Sequence, residues 1–226
     1  NSVFTCMRAL PEATTIHREN QESITIDNGY RRIVSYMESM QGGDVSKQAL
    51  RIRQLYEDFG ADYIVLDTRN GGITILSLLS KVMYDEERGK EYSPLACMNN
   101  EEYKAMTYVE GAKECIYAVN ATQKLNSDIA QNFKRTLESQ RIELPVTFEK
   151  AKEDILPNIK EYMEAEDGET QAFYEAPYLE TQALISETTS LVYERKEQTG
   201  IIVVHEQGNN RKLRSEERFS RNAETD

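Results

Sequence analysis

A short apolar segment that ends in a carboxylate and two glycines indicates the fold class of this chain. Residues 63–66 are Tyr-Ile-Val-Leu, Asp67 follows directly, and residues 68–72 are Thr-Arg-Asn-Gly-Gly. A second apolar pattern, with helical spacing, begins at Ile73. A strand, a turn and a helix in this order are typical of α/β sheets, which bind ligands just outside the carboxyl ends of their strands. Asp67 is therefore a candidate metal or substrate ligand, although an Asp in this context is also a common helix N-cap.

The composition supports a packed core and argues against a membrane protein. The 226 residues suffice for one large domain or two small ones, and 39% of them are hydrophobic. No apolar run approaches the roughly 20 residues of a membrane-spanning helix. The cysteines, Cys6, Cys97 and Cys115, form no CxxC pair, so we expect small buried thiols rather than a zinc site or disulfides. Such cysteines favour a reduced, cytoplasmic setting.

The formal net charge of −12 limits how the chain can engage nucleic acid. It argues against non-specific binding through overall positive charge. It does not argue against a nuclease, because an acidic site that binds divalent cations is itself negative and the cations offset it.

The residues before Asp67 predict two strands and a helix. Residues 2–10 and 30–38 are the predicted strands, joined by a polar, turn-rich connection. Asp44 is a predicted N-cap, and a helical pattern runs from it to Gly60, a natural C′ residue. The step from residues 30–38 through this helix is long enough for a right-handed crossover to a parallel Asp67 strand.

The residues after the glycine turn predict alternating helices and short strands. The predicted helices are residues 101–106 within a charged loop over 84–113, residues 120–138 capped by Asn120, residues 148–166 kinked at Pro157, and residues 179–196. The predicted strands are residues 115–119, an edge strand over 141–146, and residues 201–205. Together these elements predict an α/β fold with a mixed sheet flanked by helices. A dinucleotide-binding fold is disfavoured, because no GxGxxG motif follows the first strand.

Two early strands, a helix and an Asp at the end of a later strand resemble a ribonuclease H-like fold. The local sequence resembles, more specifically, the nuclease domain of tailed-phage terminase large subunits, in the lineage from phages and prophages of Gram-positive bacteria. The resemblance covers residues 2 to about 212 and depends on the serial order of many short segments. They are residues 34–39, 48–52, 55–56, 62–68, 83–88, 116–117, 126–130 and 181–185.

The resemblance implies a metal-dependent endonuclease that cuts concatemeric DNA during genome packaging. Its acidic residues would hold two Mg²⁺ or Mn²⁺ ions, and carboxylates suit these hard cations. The implied partners are double-stranded DNA and, in the intact motor, the portal and the small terminase subunit, in the cytoplasm of the bacterial host. The implied organisation is a nuclease domain over residues 1–206, with its first strand upstream of residue 1, and a polar, flexible tail over residues 207–226.

The catalytic acids of the resembling family match this chain in part. The first acid would lie upstream of residue 1, and the second matches Asp67. The third belongs to a Lys-Asp-Arg-Tyr-like motif, for which residues 210–212 match, but Leu213 stands where the Asp is expected. Asp226 is the candidate substitute if the intervening residues are an insertion. The implied catalytic and metal-binding residues are therefore Asp67 and Asp226, and with an incomplete acid set we expect weak or absent cleavage.

Arg69 and Lys212 are the candidate contacts for DNA. Arg69 follows Asp67 closely and could either neutralise a phosphate or pair with that carboxylate. His205 ends the apolar run before the third-acid motif, where a metal-adjacent role competes with an ordinary strand end.

Two further acidic positions have competing interpretations. Glu38, at the end of a predicted strand, is interpreted as an exposed carboxylate rather than a second acid facing the Asp67 cleft. Residues 85–87, Asp-Glu-Glu, are interpreted as a solvated loop.

The sequence is also compatible with two other functions. One is a catalytically incomplete module that binds DNA or assembles the packaging motor. The other is a ribonuclease or resolvase on the same scaffold, since a fold does not determine a function.

Overall fold

The computed structural model describes residues 2–16, 24–40, 42–196 and 199–206. The strands are β1 (Ser2–Ile16), β2 (Ile24–Met40), β3 (Ile64–Asp67), β4 (Met83–Asp85), β5 (Lys90–Tyr92), β6 (Leu95–Cys97), β7 (Lys113–Val119), β8 (Ile142–Glu143), β9 (Leu191–Arg195) and β10 (Ile202–Glu206). The helices are α1 (Val45–Asp58), α2 (Gly72–Leu79), α3 (Glu101–Thr107), α4 (Gln123–Glu138), α5 (Phe148–Asp154), α6 (Lys160–Glu164) and α7 (Gly168–Thr189), with a 3₁₀ turn at Leu156–Asn158. The predicted α/β class is confirmed.

Contacts divide the chain into two compact units. The first unit comprises the described residues within 1–7 and 36–122, and the second comprises those within 8–35 and 123–226. The single nuclease domain expected over residues 1–206 stays a prediction. In the described part of the chain, no helix is both long and apolar enough to cross a bilayer.

The two N-terminal strands are longer than the sequence predicts. β1 continues through Pro11 to Ile16, and β2 begins at Ile24 rather than near Tyr30. β-Branched residues fill positions 14–16 and recur at 24–26, where they favour a strand. β1 is an edge strand of the order β1-β2-β8, so the missing N–H of Pro11 is tolerated. β8 occupies the opposite edge, as predicted for residues 141–146.

Helix α1 begins and ends where the sequence predicts. The Asp44 side chain accepts hydrogen bonds from the N–H groups of Ser46 and Lys47 and so caps the helix. Gly60, just beyond the C-cap residue Phe59, adopts a φ of +55°, the left-handed conformation that glycine favours at this position. The buried face of α1 lies in the core of the first unit, whose members on this helix are Ala49, Ile52 and Tyr56.

The Asp67 strand belongs to a three-stranded parallel sheet of order β3-β7-β6. Residues 115–119 form most of β7, as predicted, and pair with β3 from Ile64 to Asp67. The expected mixed sheet joining residues 30–38 to the Asp67 strand is not seen among the described strands, because β2 pairs with β1 and β8 instead. The apolar segment of β7 pairs with β3 and contributes Cys115, Ile116 and Ala118 to the core of the first unit.

Residues 84–113 hold more structure than the predicted loop and helix. The helix is present as α3, but β4 and β5 form an antiparallel hairpin and β6 adds an edge to the parallel sheet. Each of these strands has three residues, which is too short to show the alternation that identifies a strand in sequence.

In the second unit, the bounds of two helices differ from the prediction, and one strand was not predicted. Pro157 interrupts the expected helix over 148–166, which divides into α5, the 3₁₀ turn and α6. The helix expected over 179–196 is α7, which begins at Gly168, contains Pro177 and ends at Thr189. Residues 191–195 form β9 and pair with β10, which was predicted as residues 201–205.

Candidate functional site

Asp67 presents an exposed carboxylate at the carboxyl end of β3. Its Oδ1 accepts a hydrogen bond from the backbone N–H of Arg69 at 3.0 Å, which fixes the side chain over its own turn. In the described residues, Oδ2 makes no hydrogen bond. The carboxylate therefore has one oriented oxygen and one oxygen open to a ligand.

Thr68 fastens the end of β3 to the end of β7. Its backbone N–H and its Oγ1 both donate to the carbonyl of Val119, at 2.9 and 3.1 Å. The Thr68 side chain is buried, and the Tyr103 hydroxyl on α3 lies 3.5 Å from its Oγ1. These contacts hold the ends of β3 and β7 in a fixed register next to Asp67.

The glycine turn brings the start of α2 against the Asp67 backbone. Asn70 and Gly71 adopt φ values of +49° and +97°, which form the left-handed part of the turn. A Cβ atom on Gly72 would lie 1.8 Å from the Asp67 carbonyl oxygen, so only glycine fits there. Gly71, rather than Asp67, is the N-cap residue of α2, so the alternative of Asp67 as a helix cap is wrong.

Arg69 contacts a side chain on the neighbouring strand end. Its Nε donates to the Oδ1 of Asn120 at 3.1 Å, and both side chains are exposed. Among the described residues no ion pair joins Arg69 to Asp67, so that alternative is not seen. Asn120 was predicted to cap the following helix, but α4 begins only at Gln123.

Two of the predicted site residues, Asp226 and Lys212, lie outside the described residues. Within the described ranges, no group of three or more His, Cys, Asp or Glu side chains is placed to hold a metal ion. Asp67 and Arg69 are therefore the predicted site residues that the structure describes, and it places them at one sheet edge.

No protein-family model, curated protein or solved structure matches this chain.

Glu38 has a structural environment that the sequence did not reveal. Arg51 contacts both of its carboxylate oxygens, at 2.6 and 2.7 Å, and the Tyr36 hydroxyl donates to Oε2 at 2.6 Å. Burial alone would raise the pKa of Glu38, but these hydrogen bonds outweigh burial and the pKa is lowered. The interpretation of Glu38 as an exposed strand-end carboxylate is wrong, because its partner on α1 covers it.

Asp85 is completely buried, contrary to its interpretation as part of a solvated loop. Its carboxylate accepts hydrogen bonds from Gln54 Nε2 at 2.8 Å, from the Tyr92 hydroxyl at 3.2 Å and from the Arg88 backbone N–H at 3.1 Å. The bond from Gln54 is the main reason that the pKa of Asp85 is lowered. The bond from the Arg88 N–H is the contact that an Asp at the first position of a turn commonly accepts. The nearby Gly89 was the sequence signal for this turn.

The cysteines and His205 are the remaining positions that the sequence analysis considered. Cys97 and Cys115 are buried as expected, and Cys6 is partly buried, where desolvation and the Glu38 charge raise the pKa of its thiol to about 11. His205 lies on β10, with its Nδ1 3.9 Å from Glu194 Oε2 on the paired strand β9.

A groove of about 530 Å³ in the second unit lies between α4 and the β9–β10 hairpin. Its lining is largely apolar and includes Ile129, Phe133 and Val203. The described residues that line it include no carboxylate, histidine or cysteine, so the groove lacks the charged oxygen ligands that Mg²⁺ and Mn²⁺ favour. The candidate site for metal chemistry is thus the Asp67 end of β3.

Proposed function

We propose that the chain is the metal-dependent endonuclease domain of a phage terminase large subunit, built on a ribonuclease H-like scaffold. In this proposal it cuts concatemeric double-stranded DNA during genome packaging, in the cytoplasm of the bacterial host. Its partners are the portal and the small terminase subunit. The supporting observation is the exposed Asp67 carboxylate at the carboxyl end of a parallel strand, beside Arg69, within a serial resemblance over residues 2–212.

The donor set at Asp67 fits one part of a Mg²⁺ or Mn²⁺ site. A carboxylate with an open oxygen suits a hard cation that retains several waters. When bound, such a cation would activate a water molecule and stabilise the leaving oxygen at a phosphodiester. One carboxylate is not a complete two-ion site, and Asp226 is the further ligand in this proposal.

The substitution Asp67→Asn tests the proposed metal ligand with little change to the turn. An asparagine Oδ1 can still accept from the Arg69 N–H, whereas the negative charge is lost. We expect Mn²⁺ affinity to fall by at least about tenfold, because hard cations favour charged oxygen ligands. Paramagnetic broadening of the Thr68 and Arg69 amide signals in a Mn²⁺ titration would report the binding at this site.

Plasmid cleavage in Mn²⁺ provides the activity measurement. We expect at most weak nicking by the full chain and none by Asp67→Asn. Asp62→Asn is the matched control, because Asp62 is an exposed aspartate just before the opposite end of β3 and should retain both metal binding and nicking. Equal Mn²⁺ binding by the Asp67 variant and the parent chain would contradict the proposal. Duplex binding without metal binding would support the assembly module instead.

A further inference from the structure

Hydrogen bonds that do not involve the Arg69 or Asn120 side chain join the ends of β3 and β7. Asp67 pairs with Val119 in the parallel register, so Asn120 is the first residue beyond β7. Two hydrogen bonds from Thr68 to the Val119 carbonyl hold this register. The additional bond between Arg69 and Asn120 is therefore not required to align the strands, and its effect is on the orientation of the arginine.

The bond from Arg69 Nε to Asn120 Oδ1 fixes the plane of the guanidinium group. It uses one of five N–H donors and leaves both terminal nitrogens without a partner among the described residues. Two parallel N–H groups on a planar cation match two oxygens of a phosphate group. A free, exposed arginine would lose rotamer entropy on making that contact, whereas Asn120 restricts the side chain beforehand.

We propose that Asn120 is a positioning residue that holds the Arg69 guanidinium for contact with a nucleic-acid phosphate beside Asp67. This proposal rests on the proposed nuclease function, because it takes a phosphodiester backbone as the ligand. The Arg69 backbone N–H also orients the Asp67 carboxylate. One residue thus places a cation for the phosphate next to an anion for the metal.

A double-mutant cycle in the full chain tests the coupling between these two side chains. Binding of a short DNA duplex would be measured by fluorescence anisotropy in Ca²⁺, over a range of salt concentrations, for Arg69→Ala, Asn120→Ala and the double variant. We expect Arg69→Ala to weaken binding by about tenfold and Asn120→Ala by about threefold. The double variant should bind no more weakly than Arg69→Ala, because Asn120 acts through Arg69.

The salt dependence separates positioning from a structural role. Removing one phosphate contact makes the negative slope of log K against log salt shallower by about 0.9. Asn120→Ala removes no charge, yet it should make this slope shallower, as Arg69→Ala does. Lys81→Ala, which removes an exposed charge just beyond the opposite end of α2, is the control and should leave the slope near that of the parent chain. Thermal melting would verify that each variant is folded.

The outcomes distinguish this proposal from the proposed function. An equal effect of Asn120→Ala with and without Arg69, or an unchanged salt slope, overturns the positioning role even if Asp67→Asn abolishes metal binding. A coupled cycle with full metal binding by Asp67→Asn supports the positioning role and contradicts Asp67 as the metal ligand. If no variant and no parent chain binds duplex DNA, both proposals are overturned.

Discussion

At the scale of single residues, Gly72 determines how closely α2 approaches the end of β3. The approach is a direct contact between a helix backbone and the Asp67 carbonyl, with no space for a side chain. The backbone of the candidate residue Asp67 and the first helical residue therefore lie in close contact, which only glycine permits. A change at Gly72 should affect the site without altering any residue that touches a ligand.

We expect Gly72→Ala to lower the free energy of unfolding by about 1–3 kcal/mol, the usual cost of overpacking. Mn²⁺ binding at Asp67 should weaken as well, because the strand end must move away from the helix. Gly43→Ala is the control, since a Cβ there meets no atom within 4 Å. Urea unfolding and the Mn²⁺ titration measure the two effects, and unchanged values for Gly72→Ala would disprove the close approach.

The sequence predicted the Asp67 turn, but the predicted exposure of Glu38 and Asp85 was wrong. The turn is local, and its strand, glycines and helix follow one another within twenty residues of sequence. Glu38 and Asp85 differ because their partners Arg51 and Gln54 lie 13 and 31 residues away. A single sequence does not show which distant side chain covers a carboxylate, so both were interpreted as exposed.

At the scale of elements, one polar network joins β2, α1 and the β4–β5 hairpin. Glu38 on β2 binds Arg51, whose Nη1 donates to Gln54 Oε1 at 3.1 Å, and Gln54 in turn donates to Asp85. The Tyr92 hydroxyl on β5 donates to the same Asp85 oxygen as Gln54. Asp85 accepts the hydrogen bond that joins the hairpin to Gln54 on α1. The loss of its charge should therefore weaken the attachment of the hairpin to α1.

The buried Asp85 predicts a specific response to acid. Its folded pKa is lowered, chiefly by Gln54, so its stabilising effect is present above the unfolded pKa near 3.9 and is lost as the pH falls through the folded pKa. Asp85→Asn removes this titration and should make the chain less stable at pH 7. Below about pH 4, its free energy of unfolding should then decline less steeply than that of the parent chain.

Urea unfolding between pH 7 and pH 3 measures this response. Glu86→Gln, an exposed neighbour, is the matched control and should follow the parent chain. Parallel pH profiles for Asp85→Asn and the parent chain would show that the buried carboxylate does not contribute to acid unfolding.

Helices and strands were predicted correctly where the sequence pattern was long. The prediction was wrong where strand pairing determined the secondary structure. Helix α1 carried its cap, its apolar spacing and its terminal glycine in sequence. Residues 191–195 followed a helix without a break in apolar spacing, but Val192 and Tyr193 pair with β10 and extend as a strand. The polar tracts at the inner ends of β1 and β2 likewise became strands through pairing, which local sequence does not specify.

At the scale of the whole molecule, each compact unit has its own buried residues. Leu76 in the first unit and Leu156 in the second are both completely buried. We expect Leu76→Ala and Leu156→Ala each to destabilise its own unit by about 2–5 kcal/mol. Calorimetry should then show two transitions, of which each variant lowers a different one. A single transition lowered equally by both substitutions would show that the chain unfolds as one cooperative body.

The division into units also affects the order in which the chain can fold during synthesis. The first unit is made of residues within 1–7 and 36–122, so all of it has been translated when residue 122 is added. The stretch 8–35 is made early but belongs with residues that follow 122. The ribosome therefore delivers a complete first unit while residues 8–35 still await the rest of the second unit, including β8, the parallel neighbour of β2.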